Sequence, residues 1–196
     1  AEKKIDIILM GTHGATGFEE YFIGSNAHKT VSVSPCPVIT FQTKTDKIGF
    51  SNIVLPIDNT LHSRQKVDYV IELASEYKAK IHLLGLIEEG EDIDEKKFNI
   101  KVDAVEEAIK HAGLPYKRSV VKGKNIATEA MSYSKKVSAD LIVIMADHES
   151  TIEGVLLGML SKQIINHSPI PVMSIRPAEG KYETVDLSAS SNPFYD

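Results

Sequence analysis

Tryptophan is absent from this chain, cysteine occurs once, and aromatic residues together make up only 7%. The lone Cys36 excludes an internal disulfide framework and favours a reducing compartment. No apolar run approaches the ~18 residues that a membrane-spanning helix needs. The opening AEKKIDII does not have the layout of a signal peptide. Dense basic clusters are lacking as well. With 22 Lys and Arg against 27 Asp and Glu the net charge is −5, so neither nucleic acid nor membrane is an expected partner. What is left is a chain of 196 residues, 42% hydrophobic and 25% charged, the composition of an ordinary soluble globular protein.

The most informative stretch is residues 5–42, IDIILMGTHGATGFEEYFIGSNAHKTVSVSPCPVITFQ. Its apolar run 5–10, broken only by Asp6, is short and isoleucine-rich, as in a strand buried on both faces of a parallel sheet. A loop with Gly11, Gly14 and Gly17 follows, and then Phe18, Tyr21 and Phe22 at helical spacing. Gly24 and Ser25 come next, and a second short strand, Val38–Phe41, follows Pro35 and Pro37. Glycines at the end of such a strand let backbone N–H groups approach a phosphate, and the next helix aims its N-terminal N–H groups at the same point. The spacing is neither that of a Walker loop nor G-x-G-x-x-G.

The stretch recurs. Shifted by 134 residues, so that Asp6 falls on Asp140, it overlays without a gap on residues 140–176. Glu19 meets Glu153 and Gly24 meets Gly158, while Ser34, Pro35, Pro37 and Val38 meet Ser168, Pro169, Pro171 and Val172. A period of domain size suggests two tandem copies of one unit. The second copy reads as complete. Apolar strands are expected at Asn52–Ile57 (ending at Asp58), 80–87, 116–121, Leu141–Met145 and Val172–Ile175. Helices are expected over 61–78, along the stripe Phe98, Val102, Val105, Ile109 and Ala112, along Ile126, Ala130, Tyr133 and Val137, and over 155–166. Strands alternating with helices give an α/β fold built on a parallel sheet.

The first copy supplies only its last strand–helix–strand portion. Residues 1–46 are therefore expected to be the C-terminal part of a first unit and 47–177 a whole second one. The chain is read as a piece of a longer tandem protein, with a short protein carrying a two-strand arm as the alternative. Residues 178–196 form a polar tail, and its Asn192-Pro193-Phe194-Tyr195 is read as a chance match to a peptide-recognition pattern.

The pattern G-x2-G-x9-G-S (Gly11, Gly14, Gly24, Ser25), between two such strands and closed by S-P-x-P-V, resembles the ATP-binding motif of the universal stress protein family. Residues 52–63, NIVLPIDNTLHS, are similar to that family's first strand and its following turn. The resemblance covers most of residues 5–176. It implies an open five-stranded parallel sheet of order 3-2-1-4-5 with helices on both faces, here with the β-α-β end of a second copy, and a nucleotide at the strands' carboxyl ends. Carried over by position, Met10, Gly11, His13 and Gly14 would line the nucleotide, and Gly24, Ser25 and Asn26 would hold its phosphates. Asp58 matches the aspartate that faces the nucleoside, but within its own copy Gly11 becomes Met145, Gly14 becomes His148 and Ser25 becomes Met159. With Asp147 and Glu149 beside them, these residues fill and repel, so ATP is expected in the first copy only, and weakened in this chain because the aspartate facing the nucleoside would come from the missing part of that copy. Asp58 is then read as a helix cap or turn former.

Asp147-His148-Glu149 could be read as metal ligands, but adjacent residues rarely point at one ion and a solvated loop is the simpler reading. Cys36 reads as a small buried hydrophobe. No catalytic residue and no metal site can be placed. The resemblance thus implies a regulatory or protective stress-response protein of the cytoplasm, with slow ATP turnover at most and a degenerate second unit as dimerisation partner. The alternatives are a ligand-free sensing and dimerisation module, or a nucleotide-dependent enzyme of the same superfamily. Two further expectations concern edges. The two fifth strands, Val38–Phe41 and Val172–Ile175, should pair antiparallel about a pseudo-twofold axis. The free edge of residues 5–10 should be covered by a missing half-domain or by another copy of the chain, making a homo-oligomer.

Overall fold

The computed structural model describes residues 5–12, 24–42, 49–60, 62–146, 148–151, 154–157 and 159–178. The described residues form nine strands and five helices. In chain order they are β1 (Ile8–Gly11), α1 (Ser25–Val33), β2 (Val38–Phe41), β3 (Asn52–Ile57), α2 (Val67–Tyr77), β4 (Lys80–Glu88) and α3 (Glu95–His111). Then come β5 (Tyr116–Gly123), α4 (Ile126–Lys136), β6 (Leu141–Met145), β7 (His148–Thr151), β8 (Gly154–Leu157), α5 (Met159–His167) and β9 (Val172–Ile175).

Seven strands make one sheet of order β1-β2-β9-β6-β3-β4-β5. Within the second repeat the order is β5-β4-β3-β6-β9, all parallel, which is the expected 3-2-1-4-5. The chain's first two strands extend that sheet. β1 is parallel to β2, and β2 is antiparallel to β9. The register of this junction is symmetric. Val38 faces Ser174, Thr40 faces Val172, and Ile39 faces Met173, its own counterpart at the 134-residue offset. The two fifth strands therefore meet about a pseudo-twofold axis through the Ile39–Met173 pair, as the repeat implied.

Periodicity explains the layers. Val67, Val70 and Ala74 of α2 join Phe98, Val102, Val105 and Ile109 of α3 on one face of the sheet, over Ile53, Leu55, Ile81, Leu83, Leu141 and Val143. Val31 of α1, Ala127 and Ala130 of α4, and Ile164 and Ile165 of α5 cover the other face, over Val54, Leu84, Ile142 and Val172. Burying each large aliphatic side chain is worth about 1.5–3 kcal/mol, so both faces are strongly specified. Helix starts follow capping chemistry. The Asp94 carboxylate accepts from the N–H groups of Lys96 and Lys97, and the Asn125 side chain accepts from Thr128 N–H.

Three expectations need correction. Residues 154–157 do not open a helix: they form β8, which pairs antiparallel with β7, and α5 begins only at Met159. The apolar run 155–157 fits a strand as well as a helix turn, and pairing with residues 148–151 decided between them. Helix α2 begins at Val67 rather than at 61, because residues 62–66 are held in turns by Ser63 and Lys66. The run 5–10 is not buried on both faces. Leu9 and Ile5 are each 62% exposed, since β1 is an edge strand. The segment of Phe18, Tyr21 and Phe22 lies outside the described residues, as does the tail from 179 onward.

Candidate functional site

At the carboxyl end of β1 the chain reaches Met10, Gly11 and Thr12. Thr12 is buried and tied to the neighbouring strand: its N–H donates to the Phe41 carbonyl at 2.9 Å, and its hydroxyl donates to the same oxygen at 3.3 Å. Gly24 returns to this point and donates its N–H to the Thr12 carbonyl at 2.7 Å. A Cβ on Gly24 would lie 2.8 Å from that oxygen, too close for any side chain without moving the backbone. Gly24 is the N-cap of α1 and brings no side-chain cap, and the first turn holds no acidic residue. Ser25 and Asn26 open the helix and are exposed. The positive end of the helix thus lies beside the end of β1, and among the described residues no side chain caps it.

The structure therefore brings Met10, Gly11, Gly24, Ser25 and Asn26 to one place. His13 and Gly14, also expected to line the ligand, lie outside the described residues. Helix-start N–H donors with no acidic residue in the first turn suit an anion. Among the described residues the set offers binding groups and no positioned base.

The second repeat holds the corresponding place differently. Ser161, 1% exposed, donates its hydroxyl to the Met145 carbonyl at 2.7 Å. The counterparts of these two residues are Ala27 and Gly11, and Ala27 has no hydroxyl to cover the Gly11 carbonyl. On the β3 side, Asp58 is a turn former, as expected. Its Oδ1 accepts from Thr60 N–H at 3.0 Å and from the Thr60 hydroxyl at 2.6 Å, and its own N–H donates to Ser63 Oγ at 2.9 Å. It does not cap a helix. Lys66, 2% exposed, donates its ammonium to the Ser63 carbonyl at 2.7 Å. Lys101 reaches over from α3 to the Asn59 carbonyl at 2.9 Å. Burial pushes its pKa down, Asp58 pulls it up, and Arg64 adds to the lowering. Sequence reasoning missed Ser161 and Lys66, because a serine in a helix and a lysine in a turn default to solvent; the only available signal was the Ala27-to-Ser161 change in the repeat.

Among the described residues no cluster of His, Cys, Asp or Glu could hold a metal ion. His148 and Glu149 lie in strand β7, and Asp147 falls outside the described residues. Among the same residues no helix is long and apolar enough to cross a membrane.

Comparison with known proteins adds to this geometry. A sequence model described as the universal stress protein family matches residues 1–42 and 49–176. The universal stress protein MJ0531 of Methanocaldococcus jannaschii is 26% identical over 141 residues, covering 65% of this chain and 82% of that protein. Among solved structures, a universal stress protein from Archaeoglobus fulgidus superposes with a TM-score of 0.69 at 20% identity, over 88% of this chain. This chain spans 63% of that one's length. A universal stress protein solved in complex with cAMP superposes with a TM-score of 0.56 at 21% identity, over 67% of this chain and 100% of its own.

Proposed function

The chain belongs to the universal stress protein family, and from that premise we propose that it is a nucleotide-binding member which holds ATP at the end of β1. The observation that carries this reading is the approach of Gly24 to Thr12 beneath the uncapped start of α1. Gly24, Ser25 and Asn26 would hold the phosphates through backbone N–H groups and the Ser25 hydroxyl, with Met10, Gly11, His13 and Gly14 lining the rest. That a relative of the same fold has been solved with cAMP supports a nucleotide as the ligand class. The second repeat serves as the structural partner of a tandem pair: its crevice carries Met145 and Ser161 where the first carries Gly11 and Ala27. The role is regulatory or protective, in the cytoplasm, with binding rather than turnover as the working event.

The test is calorimetric titration with ATP and, separately, cAMP, on the chain and on Gly24→Ala. The added methyl forces the loop away from Thr12, and a loss of at least about tenfold in ATP affinity is expected, equivalent to ~1.4 kcal/mol. Thermal unfolding of both proteins checks that the variant is folded. Equal affinities would remove the reading. The second copy's Met145 and His148 in place of Gly11 and Gly14 favour one further statement against the ligand-free alternative: binding is confined to the first copy rather than lost from the whole chain.

A further inference from the structure

On the α2 side of the sheet, at the end of β9, lies an open cleft of about 250 Å³. Helix α2 buries Val67, Val70 and Ala74, which leaves Asp68, Tyr69 and Glu72 on its outer stripe, exposed and lining the cleft. Asp68 and Glu72 stand one turn apart, about 5–6 Å between Cβ atoms, so one cation can reach both carboxylates. Arg176 and Ala178, just beyond β9, line the other wall. The two walls are tied together. Ala178 N–H donates to Gln65 Oε1 at 2.8 Å, and Gln65 Nε2 donates back to the Ala178 carbonyl at 3.4 Å.

The charges of this cleft are unspent. Among the described residues the side chains of Asp68, Glu72 and Arg176 make no hydrogen bond or ion pair. The repeat supplies a contrast for Arg176. Its counterpart, Gln42, donates its amide to the Ile165 and Asn166 carbonyls at the end of α5, whereas Arg176 stays exposed. Two carboxylates against one guanidinium leave the walls with a net charge of −1. The cleft is also separate from the site at β1. β1 runs parallel to β2 and β2 antiparallel to β9, so the carboxyl ends of β1 and β9 lie at opposite ends of the sheet. Within the second repeat, neither Asp58, Met145 nor Ser161 lines it.

We propose that this cleft is a site for a free basic amino acid, lysine or arginine. The side-chain cation sits between Asp68 and Glu72, beside the partly exposed ring of Tyr69, and the ligand's carboxylate pairs with the Arg176 guanidinium. The α-ammonium stays in the open mouth, in water. Charge selects this class. A ligand of net charge +1 with its two signs a long stem apart matches walls of net −1 whose signs stand on opposite sides. A diamine sets a second cation against Arg176, and an acidic amino acid or a phosphate sets negative charge against two carboxylates. Size agrees, because 250 Å³ falls below the ~300–1,000 Å³ of clefts for drug-sized molecules and suits an amino acid rather than a nucleotide. Nucleotide binding at β1 is not required for any of this.

Calorimetric titration of the whole chain with L-lysine, L-arginine, cadaverine and L-glutamate tests the site. Saturable binding of lysine or arginine is expected, with cadaverine and glutamate at least about tenfold weaker. Asp68→Asn combined with Glu72→Gln should weaken the amino acid at least about tenfold. Arg176→Gln, which takes the residue of the counterpart position, should weaken lysine similarly and bring cadaverine level with it, since partner and repulsion go together. These side chains are exposed, so the variants should keep the parent's melting temperature, which thermal unfolding checks. ATP affinity should be unchanged in every variant. A failed lysine and arginine titration beside intact ATP binding therefore sinks this site and not the nucleotide reading. Binding that survives both sets of substitutions also overturns the proposal, because it then lies elsewhere. So does cadaverine binding as tightly as lysine to the unaltered chain, because the cleft then reads cations alone.

Discussion

His82 shows how one side chain couples the core to pH. It sits on β4, buried, with its Nε2 3.0 Å from Asn52 Oδ1 and its ring edge-on to Tyr133 at 6.2 Å between centroids. Nδ1 has no hydrogen-bond partner, so the pairing with an acceptor oxygen assigns the single proton to Nε2. Burial lowers the pKa first, Lys80 and Lys117 lower it further, and Asp140 opposes them. The folded state thus favours neutral imidazole more than the unfolded chain does. Its contribution is full above the unfolded value of 6.5 and is lost as pH falls from there toward the lower folded value. The urea midpoint should therefore drop between pH 7.5 and pH 5.5, and His82→Leu should flatten that drop. The difference between the two proteins isolates His82 from the other histidines. Parallel pH profiles would show that the ring titrates as freely folded as unfolded.

Elements differ in how much they depend on their neighbours, and the junction of β2 with β9 is the sharpest case. Ile39 is fully enclosed at the pseudo-twofold axis, and Thr40 donates its hydroxyl to the Val172 carbonyl at 3.3 Å. Gln42 adds a tie beyond the strand, donating to the Ile165 carbonyl at 2.6 Å and to the Asn166 carbonyl. Truncating Ile39 to Ala should cost about 2–5 kcal/mol, whereas Leu9→Ala, on the open edge strand, should cost within ~0.5 kcal/mol. Urea unfolding of the two variants checks this, and equal costs would mean that β1 is buried in solution. The same elements show what was legible beforehand. The bounds of β2, β3, β6 and β9 were readable because each is an apolar run stopped by Pro, Asp or a polar turn. The β7–β8 hairpin was not, since residues 155–157 satisfy either period and only their partner strand settles the matter. Asp58 was legible as a cap or turn former once nucleotide was not expected in its own copy, but the burial of Lys66 depends on tertiary packing that no local pattern announces.

At the scale of the whole molecule, one sheet carries two corresponding strand ends, those of β1 and β6, of different character. The glycine pattern made the first legible, and Met145 and Met159 in place of glycine and serine marked the second as altered. The means of closure, a hydroxyl from α5 seated on the end of β6, became visible only in the structure. This asymmetry predicts stoichiometry. Titration should saturate at no more than one nucleotide per chain, even if the β1 edge is completed. Ser161→Ala tests whether the plug is the sole obstacle. Removing the hydroxyl leaves the Met145 carbonyl buried without that donor, which should cost about 1–3 kcal/mol and lower the melting temperature. It should not create a second site, because Asp58 remains engaged by Thr60 and the buried ammonium of Lys66 remains on Ser63. Two nucleotides bound by the unaltered chain would show that the second crevice is open despite these bonds. A second site gained only in Ser161→Ala would show that this hydroxyl alone had closed it.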